Sequence, residues 1–246
     1  MKINLAPGSV TLVGGGPGDP DLITVAGLEA LRQAEVIYYD RLAPTTLLEG
    51  LDAECINVGK IPRGAHTPQN EINALLIKDA QAGKKVVRLK GGDSLIFGRG
   101  GEEAIALAAA GIPVQAIPGV TSSVSVPELA GIPLTHRGLS QGVTIVAGHV
   151  PPDDVRSQID WSALAKSGTT IVILMGVKFL PEIVAKLLAS GMAGRTPVAV
   201  VSNGALPEMS IIRARLAEIV NIATRDKVAP PSITIIGDVA ELNLFE

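Results

Sequence analysis

Val10-Thr11-Leu12-Val13-Gly14-Gly15-Gly16-Pro17-Gly18-Asp19-Pro20 opens as a short apolar run and breaks into a loop of glycine and proline. Behind it, Leu22 to Ala34 carries apolar residues at helical spacing, and a second apolar run, Val36 to Tyr39, ends in Asp40. Strand, glycine loop, helix and strand in that order predict a parallel sheet with helices packed on it. The pattern repeats downstream. Strands are expected at Cys55 to Val58, Lys85 to Leu89 and Val114 to Ile117, with helices at Asn70 to Ala82 and Glu102 to Ala110. Gly83 and Gly111 stand where each helix should stop, since a residue with no Cβ closes a helix in the left-handed conformation.

Around Gly131 to Gln141 the alternation loosens, which predicts two α/β domains, 1–137 and 138–246. The second half offers strands at Val143 to Ala147, Thr170 to Leu174, Val198 to Val201, Met209 to Arg213 and Ser232 to Ile236. Helices are expected near Pro181 to Ser190 and Leu216 to Ala223, and a polar loop over His149 to Asp160. Turns rich in glycine or aspartate follow Val13, Tyr39, Leu89, Ile117 and Leu174. Ligands of open α/β sheets bind at the carboxyl ends of the strands, so these turns are the candidate site.

Composition narrows the chemistry. Of 246 residues 47% are apolar and 2% aromatic, and the net charge is −3. No excess of positive charge calls for nucleic acid, and six aromatic residues make no stacking platform. The single cysteine, Cys55, fits a reducing compartment and a small buried hydrophobe. Met1 to Pro7 lacks the basic start and apolar run of a signal peptide, and no apolar stretch approaches the roughly 20 residues that span a bilayer. A cytoplasmic protein is the expectation. The three histidines, 66, 136 and 149, show no metal-ligand spacing, so no metal is expected.

The glycine loop invites a dinucleotide reading, with Asp40 as the ribose-binding acid. It fails on spacing: the third glycine of G-x-G-x-x-G is replaced by Asp19 or Asp21, according to where the count begins. Pro17 and Pro20 also remove amide donors that a pyrophosphate needs.

Six ordered blocks carry a different identity. V-G-G-G-P-G-D-P is followed by Tyr39-Asp40-Arg41 and Val58-Gly59-Lys60. Val87 to Asp93 leads into Phe97-Gly98-Arg99-Gly100-Gly101-Glu102-Glu103, and Pro118 to Ser123 and Ala130 to Arg137 complete the set. Together they resemble the tetrapyrrole methylase family from about Val10 to Ile235-Ile236-Gly237. Ser94-Leu95 stands where the family usually has Pro-Phe, and Val126-Pro127-Glu128 replaces a small-residue run.

The resemblance implies S-adenosylmethionine (SAM) in the cleft between two α/β domains, at Pro17, Gly91, Gly92, Asp93, Ile96, Thr121, Ser122, Met175 and Gly204. Small residues there would let backbone groups approach the ligand. It implies proton acceptance by Asp40 and proton donation by Lys60. It implies methylation of uroporphyrinogen III at C2 and C7, through precorrin-1 to precorrin-2, by a homodimer. Another member of the fold acting on a later corrin precursor, and a SAM-binding regulatory module without activity, stay open beside it. A substrate with eight carboxylates needs local positive charge in an acidic chain. Arg63, His66, Arg99 and Arg137 are the candidate contacts, within the clusters Lys60–Arg63–His66, Arg88–Lys90–Arg99 and His136–Arg137.

Overall fold

The computed structural model describes residues 3–59 and 67–245, and they form two compact units that divide between Ser122 and Ser123. In the first unit β1 (Ser9–Gly14), β2 (Val36–Tyr39), β3 (Glu54–Asn57), β4 (Lys85–Lys90) and β5 (Val114–Ile117) form one sheet in the order β3-β2-β4-β1-β5, every pair parallel. Helices α1 (Val25–Gln33), α2 (Gln69–Gln81) and α3 (Gly100–Ala109) make the crossovers. The glycine loop is held on both sides. Thr24 caps α1 by accepting from the Gly27 amide at 3.0 Å, and Asp19 accepts from Asp21 at 2.9 Å.

Strand alternation sorts the sheet's two faces. Val10, Leu12, Val36, Tyr38 and Val86 pack with Ile72, Leu76 and Leu107 from α2 and α3. Val13, Ile37, Val87 and Leu89 pack with Ala30 and Leu31 of α1. A parallel sheet covered on both faces reads as unbroken apolar runs, and that is why β1, β2 and β4 were legible. Edge strand β3 is the exception. Cys55 on it is exposed, contrary to the buried role expected of it.

The strand order creates a switch point. From β1 the chain crosses to β2 on one side, and from adjacent β4 it crosses to β5 on the other. The loops after β1 and β4 therefore leave neighbouring strand ends in opposite directions, which opens a crevice at their carboxyl edge.

The second unit holds α4 (Ser123 onward of Ser122–Leu129), β6 (Val143–Ala147), α5 (Trp161–Lys166), β7 (Thr170–Leu174), α6 (Leu180–Ala189), β8 (Pro197–Ser202), β9 (Ser210–Arg215), α7 (Ile219–Arg225) and β10 (Ser232–Ile236). Its sheet, β6-β7-β10-β8-β9, is parallel only between β6 and β7. Leu180, Ile183, Val184 and Leu187 of α6 recur at helical spacing and fill one face with Trp161 and Ile219. Val126, Ala130 and Ile132 cover the other with Val172, Ala199 and Ile235. These contacts place α4 and the segment after it in the second unit, ahead of the 137–138 boundary expected from the sequence.

Candidate active site

Three loops meet at the carboxyl edge of the first sheet. A Cβ built on Gly119 would lie 2.3 Å from the Gly92 carbonyl oxygen and 2.6 Å from the Gly14 Cα, so only glycine allows this junction. Gly16 and Gly92 exchange two backbone hydrogen bonds, of 3.1 and 2.6 Å, tying the loop after β1 to the loop after β4. Asp93 fastens the remaining pieces: Oδ1 accepts from the amides of Leu95 at 2.8 Å and Ile96 at 3.3 Å, and Oδ2 from Gly119 at 3.0 Å. Pro17, Gly91, Gly92, Asp93, Ile96, Thr121 and Ser122 are thus gathered by the first unit alone. Gly92 sits at φ 66°, and a Cβ there would meet only the Ser122 and Thr121 backbone and the Ser122 hydroxyl, at 3.6–4.0 Å. A ligand can approach bare backbone at that point.

Asp40 follows β2 at the same edge, beside β4, and is not a solitary turn acid. Alternation puts Arg88 and Lys90 on the face of β4 that α2 and α3 cover, and α3 brings Glu103 to them. Arg88 Nη2 donates to Asp40 Oδ1 at 2.5 Å, and its Nε to Glu103 Oε1 at 3.0 Å. Lys90 Nζ donates to both Glu103 oxygens, at 3.0 and 3.1 Å, and lies 3.6 Å from Asp40 Oδ2. The Asp40 side chain is 31% exposed, against 0–3% for the other three. Burial, and then the Arg88 charge, push the Lys90 ammonium below the usual lysine value, against the pull of Asp40 and Glu103. The sequence groups Arg88 and Lys90 with Arg99 as a substrate cluster; their burial and their acidic partners remove them from it.

Of the remaining expected contacts, Arg99 is exposed and paired with Glu102 at 2.6 Å. It heads α3 at φ 61°, and Phe97 shares its loop at φ 53°. Left-handed backbone in residues with a side chain costs about 1–3 kcal/mol each and clusters at functional sites. Arg137 is exposed on a turn closed by reciprocal backbone bonds between His136 and Ser140, of 2.9 and 3.0 Å. A pocket of about 380 Å³ is lined by Thr135, His136, Arg137, Ser140 and Gln141. Lys60, Arg63 and His66 lie outside the described residues.

The second unit places Met175 after β7 and Gly204 after β8. Both strands pair antiparallel with β10, so the two loops share one edge of that sheet. Met175 is half exposed at φ 56°, which a core-filling methionine would not be. Gly204 lies between Asn203 at φ 51° and Ala205 at φ 64°, and a Cβ on it would strike Val126 at 2.4 Å. Among the described residues no helix is long and apolar enough to cross a membrane, and no three His, Cys, Asp or Glu gather as metal ligands.

The family model described as tetrapyrrole (corrin/porphyrin) methylases matches residues 9–220. The chain belongs to the tetrapyrrole methylases. This methylase is 48% identical over 239 residues to the S-adenosyl-L-methionine-dependent uroporphyrinogen III methyltransferase of Methanosarcina barkeri, covering 96% of this chain and 93% of that one. It superposes with TM-score 0.81 at 38% identity on the uroporphyrin-III C-methyltransferase of Thermus thermophilus complexed with S-adenyl homocysteine, covering 95% and 93% of the two chains. With cobalt precorrin-4 methyltransferase, a cobalamin biosynthetic enzyme, the TM-score is 0.84 at 26% identity, covering 95% and 96%.

One member of the ion cluster of this methylase carries only a weak signal in the sequence. Glu103 stands within a family block, and the signal for its role is that Arg88 and Lys90, alternate residues on a central strand whose positions 86, 87 and 89 are apolar, demand a buried acid on that face.

Proposed function

We propose that this tetrapyrrole methylase transfers methyl groups from SAM to C2 and C7 of uroporphyrinogen III, giving precorrin-1 and then precorrin-2. The observation that carries the reading is the near-full-length identity of 48% to a relative named for that activity. The junction of glycine loops fits a ligand that must be met by backbone, since Gly92 leaves room beside Thr121 and Ser122. Gly91, Gly92, Thr121, Ser122 and Pro17 hold SAM from the first unit, with Ile96 against it. Asp93 fixes their loops while keeping lone pairs for a ligand donor. Met175 and Gly204 complete the proposed set of cofactor contacts.

When bound, SAM supplies an electrophilic methyl group to a nucleophilic ring carbon. Asp40, the one solvent-facing member of its ion cluster, accepts the proton that the macrocycle then releases. Lys60 is its proposed counterpart as proton donor. Arg99 and Arg137, together with Arg63 and His66, bind substrate carboxylates. Holding carbon and methyl in line supplies much of the rate. A homodimer in the cytoplasm completes the reading, and light scattering after size exclusion tests the dimer.

Incubation with uroporphyrinogen III and SAM should yield a doubly methylated product by mass and absorbance. Asp40→Asn should lower kcat by about 10²–10⁴-fold. No methylated tetrapyrrole from the unaltered chain would overturn the reading. The second reading, a later corrin precursor as acceptor, has the superposition on cobalt precorrin-4 methyltransferase in its favour, and transfer to such a precursor alone would establish it.

A further inference from the structure

We infer that Glu103 is a positioning residue for Asp40, acting through Arg88 and Lys90; the inference rests on the reading of Asp40 as the proton acceptor. Three of the four charges in the cluster are withdrawn from water, each at a desolvation cost of several kcal/mol. Well-packed apolar side chains of similar volume would serve a core as well or better. Val86, Leu12 and Val10 show that this face accepts them. The charges therefore do something that packing does not.

What they do is visible in the order of contacts. Each Asp40 oxygen faces its own cation, Oδ1 the Arg88 Nη2 at 2.5 Å and Oδ2 the Lys90 Nζ at 3.6 Å. The guanidinium cannot turn, because its Nη1 donates to the carbonyls of Tyr38 and Leu89, at 3.4 and 3.2 Å, and its Nε to Glu103. Among the described residues Glu103 alone joins the two cations on their inner side, and Gln69 of α2 donates to it at 3.2 Å. Asp40 lies at a strand end, where no ladder fixes its side chain; its direction is set from β4, and β4's cations are set from α3. Glu103 does not touch the reacting atoms. It decides where the carboxylate that does so points.

The test compares Glu103→Gln and Arg88→Lys with the unaltered protein, each also combined with Asp40→Asn. Steady-state and single-turnover methyl transfer are followed with labelled SAM. Both single variants should lower kcat at least tenfold, while KM for SAM stays within about twofold. In the Asp40→Asn background the same substitutions should change the residual rate less than twofold, because a group that acts through Asp40 has nothing left to act on. An equal loss in both backgrounds, no loss in the first, or KM for SAM rising in step with falling kcat, each overturns the proposal. Arg88→Lys keeps the cluster's charge and so covers the case in which Glu103→Gln fails to fold. If Asp40→Asn shows no measurable transfer, the split between kcat and KM decides alone. If Asp40→Asn leaves kcat unchanged, the proton-acceptor reading itself has failed. Loss in Asp40→Asn without loss in Arg88→Lys leaves that reading standing and removes only Glu103's part.

Discussion

Asp93 gives both carboxylate oxygens to backbone amides of two loops, so its removal is felt twice. Asp93→Ala should cost about 2–3 kcal/mol of stability, from the lost charge-assisted bonds. It should also weaken S-adenosylhomocysteine binding at least tenfold; urea unfolding and titration calorimetry read the two. Tyr38 offers a pH-dependent case away from the site. Its buried hydroxyl donates to Asp79 Oδ2 at 2.5 Å, and Lys84 Nζ lies 3.0 Å from the other oxygen. Burial alone would raise the Asp79 carboxyl, but the Tyr38 and Lys84 hydrogen bonds outweigh it and hold it below the ordinary carboxylate value. A carboxyl depressed in the folded state stabilises above its unfolded pKa, near 4, and that contribution is lost as pH falls through the folded value. Tyr38→Phe should therefore lose about 1.5–3 kcal/mol at neutral pH and unfold in acid at a higher midpoint, followed by circular dichroism. At this scale Asp40 was legible as a residue delivered by an apolar strand. Arg88 and Lys90 were not, because a one-dimensional pattern does not say which strands are central.

Loops and helices tell a similar story. At Gly14 and Gly119 a methyl group has no space, and every atom in its way is backbone. Gly119→Ala should cost about 3 kcal/mol and abolish S-adenosylhomocysteine binding, measured by denaturant titration and calorimetry. Strands β2, β5, β6, β7 and β10 fall on the expected residues. Glycines 83 and 111 do end α2 and α3, both at positive φ. Helix α4 went unseen. Its Ser-Ser-Val-Ser-Val-Pro sequence has poor intrinsic propensity, and Pro127 sits inside it; packing of Val126 and Ala130 on the second core supplies what propensity lacks. The loosened pattern around Gly131 to Gln141 marks a change of rhythm, while Val126 and Ala130 before it already pack on the second core.

For the whole molecule, two sheets with separate cores divide the burden of stability, and ligand binding adds to it by mass action. S-adenosylhomocysteine at a hundredfold excess over its Kd should stabilise the chain by about 2.7 kcal/mol. For a chain of this length that raises Tm by roughly 5–11 °C in scanning calorimetry. No shift at that excess would remove the cofactor assignment. The mixed strand directions of the second sheet were not legible, since β8, β9 and β10 read as apolar strands whichever way they run. The first sheet's uniform direction has a last consequence. Its five strands share one edge that carries Gly14–Gly16, Asp40, Gly91–Asp93 and Gly119, while the left-handed turns at Gly8, Gly83 and Gly111 all lie at the opposite edge. The instructions for folding and the instructions for chemistry are thus written on different rims of the same sheet. Descent with modification can rewrite the second, loop by loop, to admit a new acceptor, without asking the first to be learned again.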